Sequence, residues 1–445
     1  MRITIKNLPF LFIDLVSFYL ALLVSLKLRL GSGFSFDILN SHLRAFGWLI
    51  FLMLVLFFVL GLYDLRNISR LFRYFKTWLI GIAIFFLFAT FYFYFLPEAN
   101  ISPKTILVLM VLVFGVVDFG LREFLRRYLV RSQPLVEILL IGKGDDAAEL
   151  SKYLGENRQM GYKVQTWIRE YDIHAIDKAL NEDETRVIVI PSQLRGDKYF
   201  ADKIYERLIK GTEVVSFAEF YENILGKVSM DELKENWFVE KLRPKDGLYS
   251  LLKRLVDVFL ALFVLLVTIA FWPIIAAIIK MVSPGSVLFL KERIGLGEKR
   301  FLLYKFRTMH DGHEEKTEVK ENFAEERGDH KRVFGFGKLM RRMRIDEWPQ
   351  AINVLKGELS FVGPRVDFAD YYELLKDKIP YYQIRTIIVP GLSGWAQIHD
   401  KVGNSVETAR ERLAYDIYYI KNRSMLLDLA ISLKTLKTIL TFSGM

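Results

Sequence analysis

The sequence lacks cysteine altogether and contains only six histidines among its 445 residues. Without thiols, the chain cannot form disulfide bonds, use a thiolate nucleophile or hold zinc through cysteine. Six histidines leave a zinc site open, but no HExxH pattern supports one. Polar residues are also scarce, because hydrophobic residues make up 52% of the chain and aromatic residues 14%. This composition predicts either a very large core or a chain that lies partly in lipid.

Four long apolar runs near the N-terminus indicate that the chain lies partly in lipid. Each run has roughly the 20 residues that a helix needs to cross the hydrocarbon core of a bilayer. The first run lacks the small-residue cleavage site of a signal peptide, and further runs follow it. We therefore predict a bundle of four transmembrane helices at about residues 9–28, 45–63, 77–96 and 104–119.

The net charge of +10 comes with basic residues that flank these runs. Such placement is typical of topology determinants and of contacts with anionic lipids, so it favours a lipid bilayer rather than nucleic acid as the partner. Lysines and arginines cluster at the N-terminus, between the second and third runs and after the fourth run. The positive-inside rule then places both ends of the bundle in the cytoplasm.

A small α/β domain is predicted from about residue 136 onward. The stretch "LVEILLIGKGDDAAELSKYL" is typical of a strand, a glycine turn and a helix, and "TRVIVIPS" of a second buried strand. The glycines of "GKG" at 142–144 match a dinucleotide fingerprint only in part, because Ala147 replaces its third glycine. We predict a Rossmann-like domain that binds no dinucleotide in the redox sense.

A fifth apolar run lies at about 255–280. A full crossing would place everything after it outside the cytoplasm. Pro273 lies inside the run and should kink the helix, because proline removes a backbone donor. Basic residues also lie at both ends, with Lys253 and Arg254 before the run and Lys280 after it. A re-entrant helix of about 251–280, which bends at the proline and returns to the same face, satisfies both observations.

Two adjacent carboxylates, Asp346 and Glu347, lie in the basic stretch "RRMRIDEWPQAINVLKGELSFVGPR". Neighbouring residues of a helix point about 100° apart, so the two acids should have different tasks. Pro349 predicts a helix start and Gly357 a helix end. The acids therefore precede or begin the first turn, where the helix dipole and nearby arginines keep a carboxylate ionised.

An ionised aspartate among arginines suits attack on a phosphorus centre. Guanidinium groups and a divalent metal offset the repulsion between the carboxylate and a negative phosphate. Oxygen ligands without cysteine or a histidine pair favour magnesium, which Asp346 and Glu347 would hold. The candidate substrate-binding residues nearby are Lys305, Arg307, Arg341, Arg342, Pro364 and Arg365.

Taken alone, an acidic pair at a helix start commonly does no more than complement the helix dipole. Here it occurs within an ordered series, "KFRTM", "RRMRIDEWPQAINVLKGELSFVGPR", "VPGLSGWAQ" and "YDIYYIKN". With this series, residues from about 248 to 445 resemble the bacterial sugar transferase family, the polyisoprenyl-phosphate hexose-1-phosphate transferases or monotopic phosphoglycosyl transferases. The layout of the whole chain resembles that of large members, which implies domains at 1–125, 126–240 and 241–445.

The resemblance implies that a sugar 1-phosphate passes from a UDP-sugar to undecaprenyl phosphate, with release of UMP. It implies that Asp346 is the nucleophile, that Glu347 assists it through Mg²⁺, and that Lys305, Arg307 and Arg365 hold phosphates. It also implies a re-entrant helix kinked at Pro273 and a catalytic domain on the cytoplasmic face of a bacterial inner membrane. The expected product initiates exopolysaccharide, capsule or O-antigen synthesis, and a homodimer is plausible.

The sequence departs from the pattern of this family at several positions. Arg344 stands where a serine or threonine often caps the helix, Trp348 where leucine is usual, and Trp272 where serine often precedes the helix proline. Trp395 of "GLSGWAQ" could stack on uracil or lie at the membrane interface. The closing segment "SMLLDLAISLKTLKTIL" suits a helix on the membrane surface.

Other interpretations of the sequence stay open. The chain could be a membrane scaffold or regulator with an inactive transferase domain. It could also be a membrane nucleotide-sugar dehydratase, which needs a Tyr-x-x-x-Lys pair. That pattern occurs twice, at Tyr199–Lys203 and Tyr372–Lys376, so it carries little weight. A metal site could use residues of one charged stretch, although a solvated loop is the expected role of that stretch. Its candidate ligands are His310, Asp311, His313 and Glu314.

Overall fold

The computed structural model divides the chain into two compact units, residues 1–220 and residues 221–445. It describes residues 8–63, 71–95, 103–132, 134–182, 185–196, 198–233, 237–238, 242, 247–310, 333–399 and 405–440. Within these residues, five helices are long and apolar enough to cross a membrane. The three-domain division predicted from the sequence stays a prediction.

The N-terminal unit begins with four long apolar helices. Their bounds are α1 (Leu8–Leu30), α2 (Phe36–Val59), α3 (Leu71–Phe95) and α4 (Pro103–Arg127). Ser35 caps α2, because its side chain accepts a hydrogen bond from the backbone N–H of Ile38. The four helices share one hydrophobic cluster that contains buried aromatic residues from each of them. Each helix matches one of the predicted apolar runs.

A polar group of residues lies at the centre of these helices and was not predicted. Asp14 of α1 and both Asp118 and Arg122 of α4 are fully buried. The Arg122 guanidinium lies 2.5 Å from Asp14 Oδ1 and 3.0 Å from Asp118 Oδ2. Trp78 of α3 donates to Asp118 Oδ2 at 2.8 Å. These pairs tie three helices together, since a buried charge is tolerated only with close partners.

The rest of the N-terminal unit is built on a parallel sheet. Its strands are β1 (Val136–Ile141), β2 (Tyr162–Ile168), β3 (Val187–Ile190) and β4 (Glu213–Ser216), in the order β2-β1-β3-β4. The helices that follow these strands are α5 (Asp145–Glu156), α6 (Ile173–Glu182), α7 (Lys198–Ile209) and α8 (Phe217–Leu225), of which α8 continues past residue 220, where the unit ends. The predicted strand, glycine turn and helix are found at β1, Gly142–Gly144 and α5.

The C-terminal unit contains the longest apolar helix, α9 (Gly247–Val282), which continues through Pro273. An antiparallel pair follows, β5 (Leu288–Ile294) with β6 (Arg300–Phe306). A short parallel pair joins β7 (Ser360–Val362) to β8 (Gly391–Ser393). The remaining helices are α10 (Gly335–Arg342), α11 (Ala351–Lys356), α12 (Ala369–Lys378), α13 (Val406–Asn422) and α14 (Met425–Leu440).

Both halves of α9 pack on the same part of the C-terminal unit. In its first half, Ala261 is buried against Leu303 of β6 and Val354 of α11. In its second half, Ile279 is buried against Phe306, the last residue of β6. A helix that left this unit to cross a bilayer would keep contact at one end only. The opposite face of α9 is exposed and apolar, as expected of a lipid contact.

The first turns of α9 are fixed by polar contacts. The Arg254 guanidinium donates to the backbone carbonyls of Val354 and Leu355 at 2.6 and 2.7 Å, which are the open carbonyls near the end of α11. Asp257 accepts a hydrogen bond from the backbone N–H of Phe361 at 3.1 Å. Lys253 forms an ion pair with Asp428 of α14 at 3.0 Å. The basic residues predicted at the start of the apolar run therefore lie in the first turns of α9 and anchor it to α11 and α14.

Candidate active site

The acidic pair lies in a single 3-10 helix, Ile345–Gln350, which leads directly into α11. Arg344 precedes it with a left-handed backbone, φ 58°. The predicted end of the following helix is confirmed, because Gly357 adopts a left-handed φ of 82° after Lys356. The prediction that the acids precede a helix is also confirmed. The structure differs in that Pro349 lies inside the 3-10 helix, and regular α-helix begins only at Ala351.

Glu347 is held between two basic side chains. Lys305 of β6 donates to Glu347 Oε1 at 3.2 Å. Arg344 donates to the two carboxylate oxygens at 3.2 and 3.3 Å. The positive charges of Lys305, Arg344 and Arg365 outweigh the effect of burial and hold the pKa of Glu347 at about 2. Glu347 is therefore ionised and already engaged at any physiological pH.

The surroundings of Asp346 raise the pKa of its carboxyl group instead of lowering it. Its side chain is buried, and its Oδ1 has no hydrogen-bond partner among the residues that the structure describes. Burial, together with the neighbouring negative charge of Glu347, raises the pKa of Asp346 to about 6. Lys305, Arg341 and Arg344 lower this pKa without cancelling these two effects. The sequence predicted that nearby arginines keep a carboxylate of this pair ionised, and the low pKa of Glu347 agrees with that prediction.

The turn that carries Pro364 and Arg365 is fixed by close backbone contacts. Gly363 donates its N–H to Ser393 at 2.8 Å, and Gly391 donates to Pro364 at 2.8 Å. A Cβ atom on Gly391 would lie 2.0 Å from the nitrogen of Gly363, so only glycine fits. The "VGPR" and "PGLSG" motifs therefore form one paired turn. The side chain of Arg365 is exposed, and its charge lowers the pKa of Glu347.

Arg307 contacts a different part of the C-terminal unit from the one predicted. Its guanidinium is buried and donates to the backbone carbonyls of Pro284 at 2.9 Å and of Ser283. Both terminal nitrogens are thus used to tie the end of β6 to the segment after α9. These contacts correct the expected phosphate-binding role of Arg307 to a bracing role.

The two remaining basic candidates belong to the last turn of α10. Arg341 is half-buried, and its Nε donates to Thr308 Oγ1 at 2.9 Å. It also lowers the pKa of Asp346, which places its charge close to the acidic pair. Arg342 is exposed. The structure thus brings Lys305, Arg341 and Arg344 around the two acids.

Asn353 is a structural residue of the site that sequence reasoning missed. It is fully buried in α11. Its amide accepts from the backbone N–H of Tyr304 at 3.1 Å and donates to the Leu302 carbonyl and to Glu358 Oε2, each at 2.7 Å. These bonds attach α11 to β6 and so hold Lys305 opposite Glu347. The sequence feature that could have identified Asn353 is its position as a single polar residue inside the apolar stretch "AINVL".

Two of the departures from the family pattern contact one apolar cluster. Trp272 of α9 packs on Phe306 with ring centroids 5.1 Å apart. Trp348 contacts Phe271 of α9 at 6.5 Å. Both tryptophans lie against the cluster that contains Ile279 and Phe306. These aromatic contacts link α9 to the 3-10 helix that carries Asp346.

A divalent cation fits the chemistry of this site. The protein donors available are two adjacent carboxylates, and Asp346 Oδ1 is without a partner among the described residues. No group of three or more histidine, aspartate or glutamate residues suited to a metal occurs in the described part of the chain. Magnesium commonly takes one or two protein carboxylates and completes its shell with phosphate and water. The donor set therefore fits Mg²⁺.

Several other candidates do not contribute to this site. Trp395 is buried and donates to the Gly226 carbonyl at 2.7 Å, so it offers no surface for stacking on uracil. Lys376 pairs with Glu298 at 2.6 Å. The ring of His310 packs on Phe334. The remaining suggested metal ligands, Asp311, His313 and Glu314, lie outside the described residues, as does the side chain of Tyr199.

Comparison with known proteins agrees with this geometry. A sequence profile of the bacterial sugar transferases matches residues 248–442. The UDP-N-acetylgalactosamine-undecaprenyl-phosphate N-acetylgalactosaminephosphotransferase of Aeromonas hydrophila is 38% identical over 231 residues, 52% of this chain and 53% of that protein. The UDP-glucose:undecaprenyl-phosphate glucose-1-phosphate transferase of Xanthomonas campestris is 27% identical over 347 residues, 71% of this chain and 69% of that protein.

The protein from Caulobacter vibrioides that bears the same name as the Xanthomonas enzyme is 40% identical over 197 residues, 43% of this chain and 71% of that protein. The chain spans about half the length of the Aeromonas relative, 53%. The profile match covers the acidic pair, the glycine-paired turn and α9. The chain therefore belongs to the bacterial sugar transferase family.

Proposed function

We propose that the protein transfers a sugar 1-phosphate from a UDP-sugar to undecaprenyl phosphate and releases UMP. The observation that carries this proposal is the contrast between two neighbouring carboxylates. Glu347 is bonded to Lys305 and Arg344, whereas Asp346 keeps an oxygen without a hydrogen-bond partner among the described residues. One carboxylate is thus held in place and the other is available to react. The activities for which these relatives are named support the choice of substrates.

In the first step, Asp346 attacks the phosphorus that bears the sugar. A bond forms between the Asp346 oxygen and this phosphorus, and the phosphorus–oxygen bond of the diphosphate bridge breaks. UMP leaves with the bridging oxygen. With a pKa of about 6, Asp346 is mostly ionised at neutral pH, so no separate base is needed to activate it.

In the second step, a phosphate oxygen of undecaprenyl phosphate attacks the same phosphorus. The bond to Asp346 breaks, the carboxylate is restored, and undecaprenyl diphosphate sugar is formed. The positive charges near the acids, from Lys305, Arg341, Arg344 and Arg365, stabilise the negative phosphate groups in both steps. These charged groups are already in place before the substrate binds, and such preorganised charges lower the activation barrier of the reaction most.

Magnesium would be held by Asp346 and Glu347 together with phosphate oxygens of the substrate. When bound, it would neutralise charge on the diphosphate and stabilise the leaving UMP. Lys305 and Arg344 orient the Glu347 carboxylate through their hydrogen bonds to it.

We further propose that α1 to α4 form a transmembrane bundle, that the parallel sheet belongs to a Rossmann-like domain of about 126–240, and that residues 241–445 form the catalytic domain. In this proposal α9 is a re-entrant helix, since both its halves pack on the C-terminal unit. The catalytic domain then faces the cytoplasm at a bacterial inner membrane, where UDP-sugars occur. The product would begin the synthesis of exopolysaccharide, capsule or O-antigen. The proposal also includes that the protein forms a homodimer.

The test is release of UMP by the purified chain with a panel of UDP-sugars, undecaprenyl phosphate and Mg²⁺. We expect turnover with one or more sugars and none with Asp346→Asn, because an amide is a poor nucleophile. Asp370→Asn, which changes an exposed acid in α12, is the matched control and should keep wild-type turnover. Equal turnover of wild type and Asp346→Asn would contradict the assignment. An inactive wild type would favour the scaffold interpretation.

A further inference from the structure

The segment that follows the glycine-paired turn is held by a buried arginine. Arg385 lies in the 3-10 helix Tyr382–Thr386 and is only 6% exposed. One of its terminal nitrogens donates to the backbone carbonyl of Arg365 at 2.9 Å. The other donates to Asp367 Oδ2. Arg385 therefore contacts the chain at Arg365 and again two residues later.

The same guanidinium is fixed from its other side. Its Nε donates to Asp416 Oδ2 of α13 at 2.7 Å. The hydroxyl of Tyr382 donates to Asp367 Oδ2 at 2.8 Å and accepts from Arg385. A guanidinium presents its donors in a rigid plane, so bonds to Asp416, Asp367 and the Arg365 carbonyl define one position for all of them. A lysine has a single nitrogen and could not make the three contacts together.

This arrangement exceeds what charge balance requires. A buried arginine needs a carboxylate partner, and Asp416 alone would supply one. The bond to the Arg365 carbonyl adds no charge compensation, but it fixes the backbone that carries the Arg365 side chain. That backbone is bridged on its other side by Gly391. The exposed guanidinium of Arg365 thus extends from a segment held at both sides, and its charge reaches Glu347.

We propose that Arg385 is a positioning residue of the reaction: it holds the backbone of Arg365 so that the Arg365 guanidinium meets the diphosphate of the UDP-sugar. Arg385 itself is buried and does not touch the substrate. This inference rests on the proposed function. It predicts that the effect of changing Arg385 is transmitted through Arg365.

A double-mutant cycle tests the inference. Arg385→Lys keeps the charge but cannot make all three contacts, so the KM for the UDP-sugar should rise about tenfold, equivalent to one charge-assisted hydrogen bond, with a smaller change in kcat. Arg365→Ala should raise the KM at least as much. The double variant should be no worse than Arg365→Ala alone, because the positioned side chain is already absent.

A matched control separates positioning from loss of stability. Ile431→Val trims a fully buried side chain of α14 in the C-terminal unit and should lower the thermal midpoint without changing the KM. If Arg385→Lys does not fold, Asp416→Asn replaces it in the cycle, since it loosens the same guanidinium but keeps the pair with Asp367. Its effect on the KM should also vanish in the Arg365→Ala background.

Additive effects of the Arg385 and Arg365 changes in an active enzyme would overturn the inference and leave the proposed function intact. A KM for Arg385→Lys equal to that of wild type would overturn it as well. An inactive wild type with every UDP-sugar of the panel would overturn the proposed function, and the inference would fall with it.

Discussion

At the scale of single residues, two neighbouring carboxylates acquire different properties from their contacts. Glu347 faces Lys305 and Arg344 and has a pKa of about 2. Asp346 faces the protein interior and has a pKa of about 6. A difference of this size between adjacent acids is typical of sites in which two carboxylates have separate tasks. Under the proposed function, the reacting group is the carboxylate whose oxygen has no hydrogen-bond partner among the described residues.

Arg344 offers a test that separates charge from backbone strain. Its left-handed backbone, φ 58°, is unfavourable for a residue with a Cβ by about 1 kcal/mol. Arg344→Gly removes that strain but also removes a partner of Glu347. We therefore expect a thermal midpoint close to or above that of wild type, together with at least about a tenfold loss of kcat/KM, the loss typical of one charge-assisted contact.

Arg344→Lys is the control for this change, because it keeps both the charge and the strained backbone. It should retain more activity than Arg344→Gly while being no more stable. UMP release and thermal unfolding in detergent measure the two quantities. If Arg344→Gly reacts as fast as wild type, the contact with Glu347 has no part in the reaction.

Sequence patterns predicted the position of this pair but not its electrostatics. Gly357 ends α11 and Pro349 lies in the 3-10 helix just before it, both through local backbone rules, so the location of the acids before a helix followed from the sequence. The pKa of Asp346 depends on burial against residues far along the chain, which no local pattern contains. Arg307 shows the same limit: its basic side chain suggested phosphate binding, but tertiary contacts direct it to the carbonyls of Ser283 and Pro284.

At the scale of elements, the position of Arg365 is determined by the paired turn, in which the segment after β7 lies against the start of β8. The two strands meet with Gly363, Gly391 and Gly394 in backbone contact. A Cβ on Gly394 would lie 2.4 Å from the Gly363 carbonyl oxygen, and one on Gly391 still closer to Gly363. In the sequence, "VGPR" and "PGLSG" stand as separate motifs. Their pairing became visible only in the folded unit, because it joins segments that local rules treat independently.

Gly391→Ala should therefore displace the turn and abolish UMP release. The added methyl group cannot be accommodated by a side-chain rotation, since the atoms it meets are backbone. Gly335→Ala at the start of α10 is the matched control, because nothing lies within 4 Å of the Cβ it would add. That variant should keep wild-type activity and thermal midpoint. Wild-type turnover by Gly391→Ala would show that the close approach of the two strands is not needed.

At the scale of the whole molecule, apolar patterns and tertiary contacts supply different information. The sequence predicted five apolar helices, and length and composition confirm five among the described residues. It did not reveal that Asp14 and Arg122, 108 residues apart, form a buried pair within the first four helices. The sequence also predicted a re-entrant path for α9 rather than a crossing. Both halves of α9 contact β6, and the path through the membrane stays a prediction.

The absence of cysteine makes this path directly testable, since any introduced cysteine is the only thiol in the chain. Lys299→Cys, before β6, and Ser32→Cys, between α1 and α2, both lie at exposed positions. Under the positive-inside prediction, a membrane-impermeant maleimide should label Ser32→Cys in spheroplasts but label Lys299→Cys only in inverted vesicles. A crossing α9 would instead expose Lys299→Cys in spheroplasts. That outcome would separate the acidic pair from cytoplasmic UDP-sugars and contradict the proposed reaction, because Asp346 follows α9 in the same compact unit.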